Sequence, residues 1–338
     1  MESEAATFVI TGGEPFTRRD LLEVARYSKS RGLRTNVITN GQYIRQKNVE
    51  EVARVFDRVT VSLDHGLPEH HDRHRGPGSW KRALNAIDLL IEAGVQVDVN
   101  SVLTKLGLRD VKELLQLIRS RRIGTHRITP QFPMGRGANS RDDQLTPTEL
   151  LQVDEHLTKA GQNLDGHGPR LTQEGAYTQK GMLRNHCGAG LSEVSVDPEG
   201  WVYPCRLLQY PKLRSQNIRE ARLVDIFDKD PLLRWNRGRT ADTVHPCKTC
   251  IIKNQCGGGC RGIHMSLSEE YLEPHPMFCA YLRRGFEAEA WSSTGSVPAA
   301  RKAKFHKSPD EPAHRGQTSP LAASKGTPQL QLVPLTKK

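Results

Sequence analysis

The sequence predicts an α/β protein with a parallel sheet in its first half and a small cysteine-rich domain in its second half. Five apolar, β-branched runs alternate with amphipathic helical patterns before residue 130. Strands that follow one another through helices form a parallel sheet with right-handed crossovers. All seven cysteines of the 338 residues come at or after Cys187. This concentration predicts a separate second domain, since single cores stop growing near roughly 250–300 residues.

Each element of the first half has a local signal. The strand Thr7–Thr11 is apolar and β-branched, and it opens into the loop Gly12-Gly13-Glu14-Pro15. Thr17 with Asp20 is a capping pattern for the first helix, which Gly32 ends. The same rules predict, in chain order, the strand Leu33–Ile38, the helix Asn48–Val55, the strand Arg58–Leu63, a loop dense in His and Arg, a helix capped by Ser79 and ending at Ala93, the strand Val95–Leu103, the helix Arg109–Arg122 and the strand Thr125–Thr129.

The second half has weaker periodicity. Thr146-Pro147-Thr148-Glu149 is a capping box that predicts a further helix. Two short β-branched runs around the turn Asp197–Gly200 predict a β-hairpin that delivers Cys205. Helical pieces are predicted over Leu223–Phe227 and Pro231–Trp235. We therefore expect four segments: a sheet domain over 1–163, a linker over 164–186, a cysteine-rich domain over 187–291 and a tail over 292–338.

The net charge of +11 sits mostly in the tail. Residues 292–338 carry eight Lys or Arg against Asp310 and Glu311, and their Ser, Pro, Ala and Lys content predicts disorder. The body is only mildly basic, so a nucleic-acid partner is not favoured. The sequence lacks an apolar run of about 18 residues and a secretory signal pattern, so we expect no membrane association. Together with cysteines that are spaced like metal ligands, these features predict that the protein resides in a reducing cytoplasm.

The cysteine spacing predicts a metal site. Cys247, Cys250, Cys256 and Cys260 are separated by two, five and three residues, while Cys187, Cys205 and Cys279 flank them. Disulfide frameworks spread over a domain, and an odd count leaves one thiol over, so clustering favours ligands. Thiolates in sets of four hold iron–sulfur clusters and also structural zinc. Spacing by itself leaves both groups open.

The order of the cysteines resembles the SPASM domain of radical S-adenosylmethionine (radical SAM) enzymes, a module with two auxiliary [4Fe–4S] clusters. Upstream, Gly12-Gly13-Glu14-Pro15 resembles the GGEP motif of the same family, which receives the methionine amino group of S-adenosylmethionine. An ammonium group needs free carbonyls and a carboxylate, and glycines let the ligand approach the backbone. The resemblance implies a partial (β/α) barrel followed by an iron–sulfur domain.

The resemblance also implies site residues at strand ends. Ser62 and Asp64 would lie by the ribose, and the alternative role for such residues is turn and capping chemistry. The implied cofactor-binding residues are Gly12, Gly13, Glu14, Pro15, Thr39, Asn40, Ser62, Asp64, Asn100 and Ser101. The loop Met134–Ala138 resembles a family loop near the adenine, with a plain glycine-rich connection as the alternative.

The segment His70-His71-Asp72 with His74 and Arg75 has two interpretations. Its histidines and carboxylate are of the types that bind zinc. The segment also resembles the HD-x-x-R-G loop of the family, whose residues order the chain near the mouth of the active site. We favour the ordering role.

The ligands of the two implied clusters carry over one by one. Cys247, Cys250, Cys256 and Cys279 are expected to hold one cluster. Cys187, Cys205 and Cys260 are expected to hold the other, whose fourth iron could bind substrate, serve as a relay or take another ligand. Arg206 stands where the sulfatase-maturing branch has an Asp proton acceptor, which argues against that activity.

One departure limits the resemblance. The family binds its catalytic cluster through a Cys-x3-Cys-x2-Cys loop ahead of the GGEP strand, and no cysteine precedes Cys187 here. The first βα unit is therefore expected to be missing and the chain inactive alone, because the radical forms at that cluster. Three explanations are open: an incomplete chain, a degenerate protein that keeps the cluster domain, and a split enzyme completed by another polypeptide. We favour the incomplete chain. The expected substrate is a peptide or protein, and the expected electron donor a flavodoxin or ferredoxin. The alternative function is a non-catalytic iron–sulfur or zinc module.

Overall fold

The computed structural model describes residues 7–132, 143–146, 149, 186–268, 274 and 279. Its centre is a five-stranded sheet in which every neighbouring pair is parallel and the spatial order equals the chain order. The predicted fold class is confirmed. The strands are β1 (Thr7–Ile10), β2 (Arg34–Thr39), β3 (Arg58–Ser62), β4 (Gln96–Leu103) and β5 (Thr125–Pro130).

Helices cover one face of this sheet. Side chains alternate between the faces of a strand, and the valines at alternate positions, such as Val59 and Val61, are fully buried with helix residues in one core. Burying each such side chain stabilises the fold by about 1.5–3 kcal/mol. The helices are α1 (Leu21–Ser30), α2 (Val49–Val55), α3 (Pro68–Arg75), α4 (Ser79–Glu92) and α5 (Val111–Arg119).

The opposite face of the sheet carries polar side chains. Ser62 of β3 lies beside Asn100 of β4 in the register, and Asn100 lies beside Arg127 of β5. Ser62, Asn100 and Arg127 are all half-buried rather than packed into the core. This face is therefore the one that can receive a polar ligand.

Three local predictions were wrong. Thr17 does not cap α1: it ends a short 3₁₀ helix, and the carboxylate of Asp20 binds Arg18 at 2.6 Å instead of a helix N–H. Ser79 is the first residue of α4 rather than its cap, which is Gly78. The His- and Arg-rich segment predicted as a loop is the helix α3, with Pro68 in its first turn, where a missing N–H costs nothing.

The second half forms a smaller unit of short elements. The predicted hairpin is present, since β6 (Ser195–Val196) pairs antiparallel with β7 (Val202–Tyr203). Both predicted helical pieces are present and extend by two residues: α6 (Leu223–Lys229) and α7 (Pro231–Arg237). Two more helices follow among the described residues, α8 (Lys253–Cys256) and α9 (Arg261–Ser268).

The two halves share a core. Leu103 at the end of β4 and Ile128 in β5 pack in one buried cluster with Ile252 and Ile263 of the second half. This contact sets the cysteine-rich unit against the carboxyl ends of β4 and β5. Parallel sheets place their ligands at that edge.

Some predictions fall at or beyond the edge of the described residues. The predicted capping box is present, because the Glu149 N–H donates to Thr146 Oγ1 at 3.2 Å and Thr146 N donates to the Glu149 carboxylate at 2.8 Å. The body of its helix, the loop Met134–Ala138, residues 164–185 of the linker and the tail lie outside the described residues. Within the described part of the chain, no helix has the length and apolar character to cross a membrane.

Candidate functional site

The carboxylate of Glu14 joins two predicted segments. Thr39 Oγ1 donates to Oε1 of Glu14 at 2.8 Å, and Asn40 N donates to Oε2 at 2.8 Å. Phe16 N also donates to Oε1, at 3.1 Å. Because β1 and β2 are parallel neighbours, the loops after them meet at one edge of the sheet. A carboxylate accepts about four hydrogen bonds, so with respect to the described residues one acceptor site on Oε2 is left for a ligand.

The glycines of these segments have different roles. Gly12 has a φ of +146°, which favours glycine, and a Cβ built at Gly12 or Gly13 would meet no heavy atom within 4 Å. The space over this backbone is open to a ligand. A Cβ at Gly41, in contrast, would lie 3.0 Å from Cβ of Ala86. The missing side chain at Gly41 therefore allows α4 to pack closely against the end of β2.

Asp64 is buried and held from several sides. Arg75 binds its carboxylate through Nε and, at 3.0 Å, through Nη2, while Val102 N donates to Oδ1 at 2.9 Å. Burial by itself would raise the pKa of Asp64, but the charge and hydrogen bonds of Arg75 outweigh it, so the pKa lies below the ordinary value. The ring of His71 accepts the backbone N–H of Asp64 at 3.2 Å. Asp64 is thus a fixed anion at the end of β3.

Asn100 and Ser101 lie on opposite faces of β4, so a ligand on the polar face of the sheet would meet the side chain of Asn100 and not that of Ser101. The Ser101 hydroxyl donates to the Leu63 carbonyl and lies 2.8 Å from Nε2 of His126, on the helix-covered face. Burial lowers the pKa of His126 to about 3, so its ring is neutral. Successive residues of a strand alternate, so Asn100 shares the polar face with Ser62.

The HD-x-x-R-G residues order α3 and the turn after it. Asp72 accepts hydrogen bonds from Gly78 N at 2.6 Å, from the Ser79 hydroxyl at 2.9 Å and from Trp80 N at 2.8 Å, which fastens the start of α4. His71 and Arg75 are engaged with Asp64. A zinc site that used all the histidines and the carboxylate of this segment is therefore not formed, because His71 and Asp72 bind other partners.

Four cysteines line one cavity of the second half. They come from a 3₁₀ turn, from α8 and from position 279, and they are Cys247, Cys250, Cys256 and Cys279. Burial and the neighbouring thiol of Cys247 raise the pKa of Cys256 to about 11. Gly257, Gly258 and Gly259 have φ values of +66°, +87° and +69°. Successive N–H groups of such a run point at an anion, and those of Gly258 and Gly259 reach Cys256.

The remaining three cysteines form a second group. Cys205 and Cys260 are buried, and Cys187 is half-buried beside them. Burial raises the pKa of Cys260 to about 11, and the Cys187 thiol adds to the rise. Burial, the charge of Glu193 and the Cys260 thiol also raise the pKa of Cys205. Four cysteines thus share the cavity, and the thiols of the other three lie close enough to affect one another's pKa.

Both groups fit a bound metal centre. All seven thiols are free, so no disulfide accounts for their convergence. Thiols that raise one another's pKa resist becoming thiolates together, and a positively charged metal centre removes that obstacle. Zinc and iron–sulfur clusters both meet this condition.

Arg127 and Arg206 are residues that sequence reasoning left without a binding role. Burial and the charge of Arg127 lower the pKa of Arg206, which places the two guanidinium groups near one another, although the residue Arg206 is exposed to solvent. Arg206 follows Cys205 directly, and Arg127 lies beside Asn100. The strand alternation of β5 could have indicated Arg127.

Two family models match the chain. The model of the radical SAM superfamily matches residues 2–118, and the SPASM model of an iron–sulfur cluster-binding domain matches residues 187–251. The second match ends before Cys256, Cys260 and Cys279. The structure places those three among the other cysteines.

Characterised relatives cover most of the chain. An AdoMet-dependent heme synthase from Methanosarcina barkeri is 28% identical over 293 residues, which are 81% of this chain and 82% of that protein. A mycofactocin maturase from Mycobacterium ulcerans is 30% identical over 264 residues, 74% of this chain and 69% of that protein. The PqqA peptide cyclase from Gluconobacter oxydans is 26% identical over 275 residues, 79% of this chain and 75% of that protein.

Solved structures share the fold. Native anSMEcpe with bound AdoMet aligns with a TM-score of 0.66 and 19% identity, covering 84% of this chain and 83% of that one. Streptococcus suis SuiB bound to S-adenosylmethionine aligns with a TM-score of 0.60 and 20% identity, covering 75% of this chain and 61% of that one. At this identity the likeness extends to the fold alone.

Proposed function

Since this chain belongs to the radical SAM superfamily and carries a SPASM domain, we propose that it binds S-adenosylmethionine and two auxiliary [4Fe–4S] clusters, and that it serves a radical modification of a peptide or protein substrate. Membership of the family implies iron–sulfur clusters and S-adenosylmethionine. The number of clusters, the residues that hold them and the substrate are parts of the proposal.

The fixed carboxylate of Glu14 is the observation that carries the cofactor site. Thr39 and Asn40 hold the carboxylate in place while one acceptor site stays open, and an ammonium group is a suitable donor for it. The open backbone at Gly12 and Gly13, followed by Pro15, would let the methionine end approach. Ser62 and Asn100 on the polar face would contact the ribose side. Asp64, held by Arg75, would keep the end of β3 in place beside them.

The cysteines would hold two auxiliary clusters, one on a set of four thiols and one on a set of three. Cys247, Cys250, Cys256 and Cys279 supply a full set of ligands for one cluster. Cys187, Cys205 and Cys260 supply three for the other and leave one iron for substrate, for a relay or for another ligand. When bound, such clusters pass single electrons. The thiols fix their positions, and the shared core with β4 and β5 sets them against the cofactor edge.

Peptide substrates are favoured by the relatives, since a mycofactocin maturase and a PqqA peptide cyclase are among them. An external electron donor such as a flavodoxin or ferredoxin belongs to the same proposal. So does the cytoplasm, because seven free thiols arranged as ligands suit a reducing compartment.

A heme precursor is the second candidate substrate. The overlap with the heme synthase is longer than that with the peptide-modifying relatives, at 293 residues. Arg127 and Arg206 near one another also suit an anionic substrate. Selection from a random-sequence peptide library and titration with an iron porphyrin, both on the cluster-reconstituted chain, separate the two. An enriched peptide consensus supports the first candidate, and porphyrin binding without enrichment supports the second.

Calorimetric titration with S-adenosylmethionine tests the cofactor site. Glu14→Gln keeps the size of the side chain but removes its charge, so we expect binding to weaken about tenfold to a hundredfold, the usual worth of a charged hydrogen bond. Glu23→Gln, on the exposed surface of α1, is the matched control and should bind like wild type. Equal affinities for the two variants would contradict the assignment of Glu14.

A further inference from the structure

Three metal-binding side chains meet beside the cofactor edge, away from the cysteines. His65 follows Asp64, His70 lies on α3, and Asp110 is the residue before α5. The side chains of His65 and Asp110 are 0% and 1% exposed, and that of His70 is 23% exposed. A buried carboxylate between two imidazoles is costly to form unless each group finds a partner. Either hydrogen bonds or a bound cation must therefore offset the cost of burying these three side chains together.

The donor atoms have the spacing of metal ligands. Nδ1 of His65 lies 3.2 Å from Oδ1 of Asp110, and Nδ1 of His70 lies 3.2 Å from Oδ2. One donor atom from each of the three residues lies within 4.8 Å of the others. Zinc binds nitrogen and oxygen at about 2.0–2.2 Å, so neighbouring ligands of a tetrahedral site stand about 3.3–3.5 Å apart. The two separations from Asp110 match this spacing, and the two imidazole nitrogens would have to reach the same spacing around the ion.

The outer nitrogen of His65 also has a partner. Its Nε2 lies 3.2 Å from Nδ1 of His74, the two rings are parallel at 5.1 Å between centroids, and Nε2 of His74 lies 3.8 Å from the carboxylate of Asp143. Histidines that ligate metals usually donate their second N–H to a carboxylate, a carbonyl or water, which fixes the ring, and here the imidazole of His74 would take that place. Nδ1 of His74 also lies 3.3 Å from the His70 carbonyl, so it either donates to that carbonyl or accepts from His65. When it accepts from Nε2–H of His65, the Nδ1 lone pair of His65 faces the Asp110 carboxylate, and a cation between them relieves the repulsion.

The backbone holds the same groups in place. Leu67 N donates to Oδ2 of Asp110 at 3.1 Å. A Cβ at Gly66 would collide with the backbone of Leu114. The segment that follows Asp64 is thus pressed against the start of α5, and the two histidines approach Asp110 from that segment and from α3.

We propose that His65, His70 and Asp110 form a zinc site, with a solvent ligand entering on the accessible side of His70. Two imidazoles and a carboxylate are a donor set that zinc takes, and a position left to solvent is typical of sites that are not purely structural. The ion would tie the segment after Asp64 to α5. It would therefore hold the neighbouring cofactor residue Asp64 in place. The competing account is a cluster of hydrogen bonds to Asp110 without metal.

Zinc titration of the cluster-reconstituted chain tests the proposal. With the cysteines occupied by iron and sulfide, chelator-treated wild type should bind one further zinc ion, measured by calorimetry and by metal analysis. His70→Ala should lose that ion, whereas Glu69→Ala, an exposed acidic neighbour on the same helix, should keep it. His74→Ala removes the outer partner and should weaken zinc binding about tenfold to a hundredfold.

X-ray absorption at the zinc edge gives a readout that needs no variant. The first shell of the wild-type zinc should contain nitrogen and oxygen without sulfur. If the clusters fail to assemble, zinc on the cysteines shows sulfur in that shell and stays bound in His70→Ala, so the two kinds of site remain distinguishable. The absence of a further zinc ion in wild type, or a further ion with sulfur ligands, would overturn the proposal and leave the hydrogen-bond cluster.

Discussion

The ion pair between Asp64 and Arg75 should make a large contribution to the stability of the sheet domain. The Asp64 side chain is 8% exposed and that of Arg75 is 28% exposed. In Asp64→Asn the guanidinium of Arg75 loses its negatively charged partner. One of the two carboxylate oxygens that accept from Arg75 is also replaced by an NH₂ group, which can only donate. Breaking a fully buried pair costs 3–5 kcal/mol; because Arg75 stays partly solvated, we expect the free energy of unfolding to fall by about 2–3 kcal/mol.

Urea unfolding of the chain, followed by circular dichroism, measures this effect, and Asp88→Asn is its control. Asp88 also forms a two-pronged pair with an arginine, Arg121, at 2.7 Å and 3.3 Å, but its side chain is 48% exposed. Pairs of that kind contribute about 0–1 kcal/mol. If both variants lower the midpoint equally at unchanged slope, the burial argument for Asp64 fails.

The pH dependence gives the same prediction a second test. The pKa of Asp64 is lower in the folded chain than in the unfolded one. The stabilisation that Asp64 contributes is therefore complete above the unfolded pKa of about 3.9, and it is lost as the pH falls through the folded pKa. The difference between wild type and Asp64→Asn should be constant from about pH 5 to pH 8 and should shrink below about pH 4. A difference that grows on acidification would refute the sign.

Three further outcomes are expected. Gly41→Ala should destabilise the chain by about 1–3 kcal/mol more than Gly32→Ala in thermal unfolding, since both have positive φ but only Gly41 has Ala86 at 3.0 Å from the added Cβ; equal losses would contradict this. Asp72→Ala should cost about 1–2 kcal/mol by freeing the start of α4, and an unchanged midpoint would refute the role of its three hydrogen bonds. Cys260→Ser should reduce reconstituted iron from about eight to about four per chain, and wild-type iron content would contradict the two-cluster division.

The elements of the sheet domain were largely predictable, because burial repeats along each strand and helix. The predicted strand Arg58–Leu63 differs from β3 by one residue, and Val95–Leu103 differs from β4 by one residue. Helix α3 was missed because it has no apolar stripe. Its residues instead bind distant partners: His71 and Arg75 bind Asp64, and the Asp72 carboxylate reaches the turn before α4.

The site was predictable in its parts but not in its contacts. Glu14 and Thr39 were each predicted as binding residues from the segments they stand in. Their contact across 25 residues follows from the parallel pairing of β1 with β2. Asn100 and Ser101 were both predicted as cofactor-binding residues from the family resemblance, and the alternation of β4 places them on opposite faces of the sheet.

The sequence by itself determined the succession of strands along the chain, the glycine-rich loop at Glu14 and the number and spacing of the cysteines, because these depend on local pattern and residue type. The tertiary structure decided which of those residues meet. Spacing alone left the cysteines ungrouped, and the fold brings Cys279 to the cavity of Cys247 and sets Cys260 with Cys205. His65 and Asp110 stand 45 residues apart. Their meeting depends on the packing of α5 beside the end of β3, which no local pattern specifies.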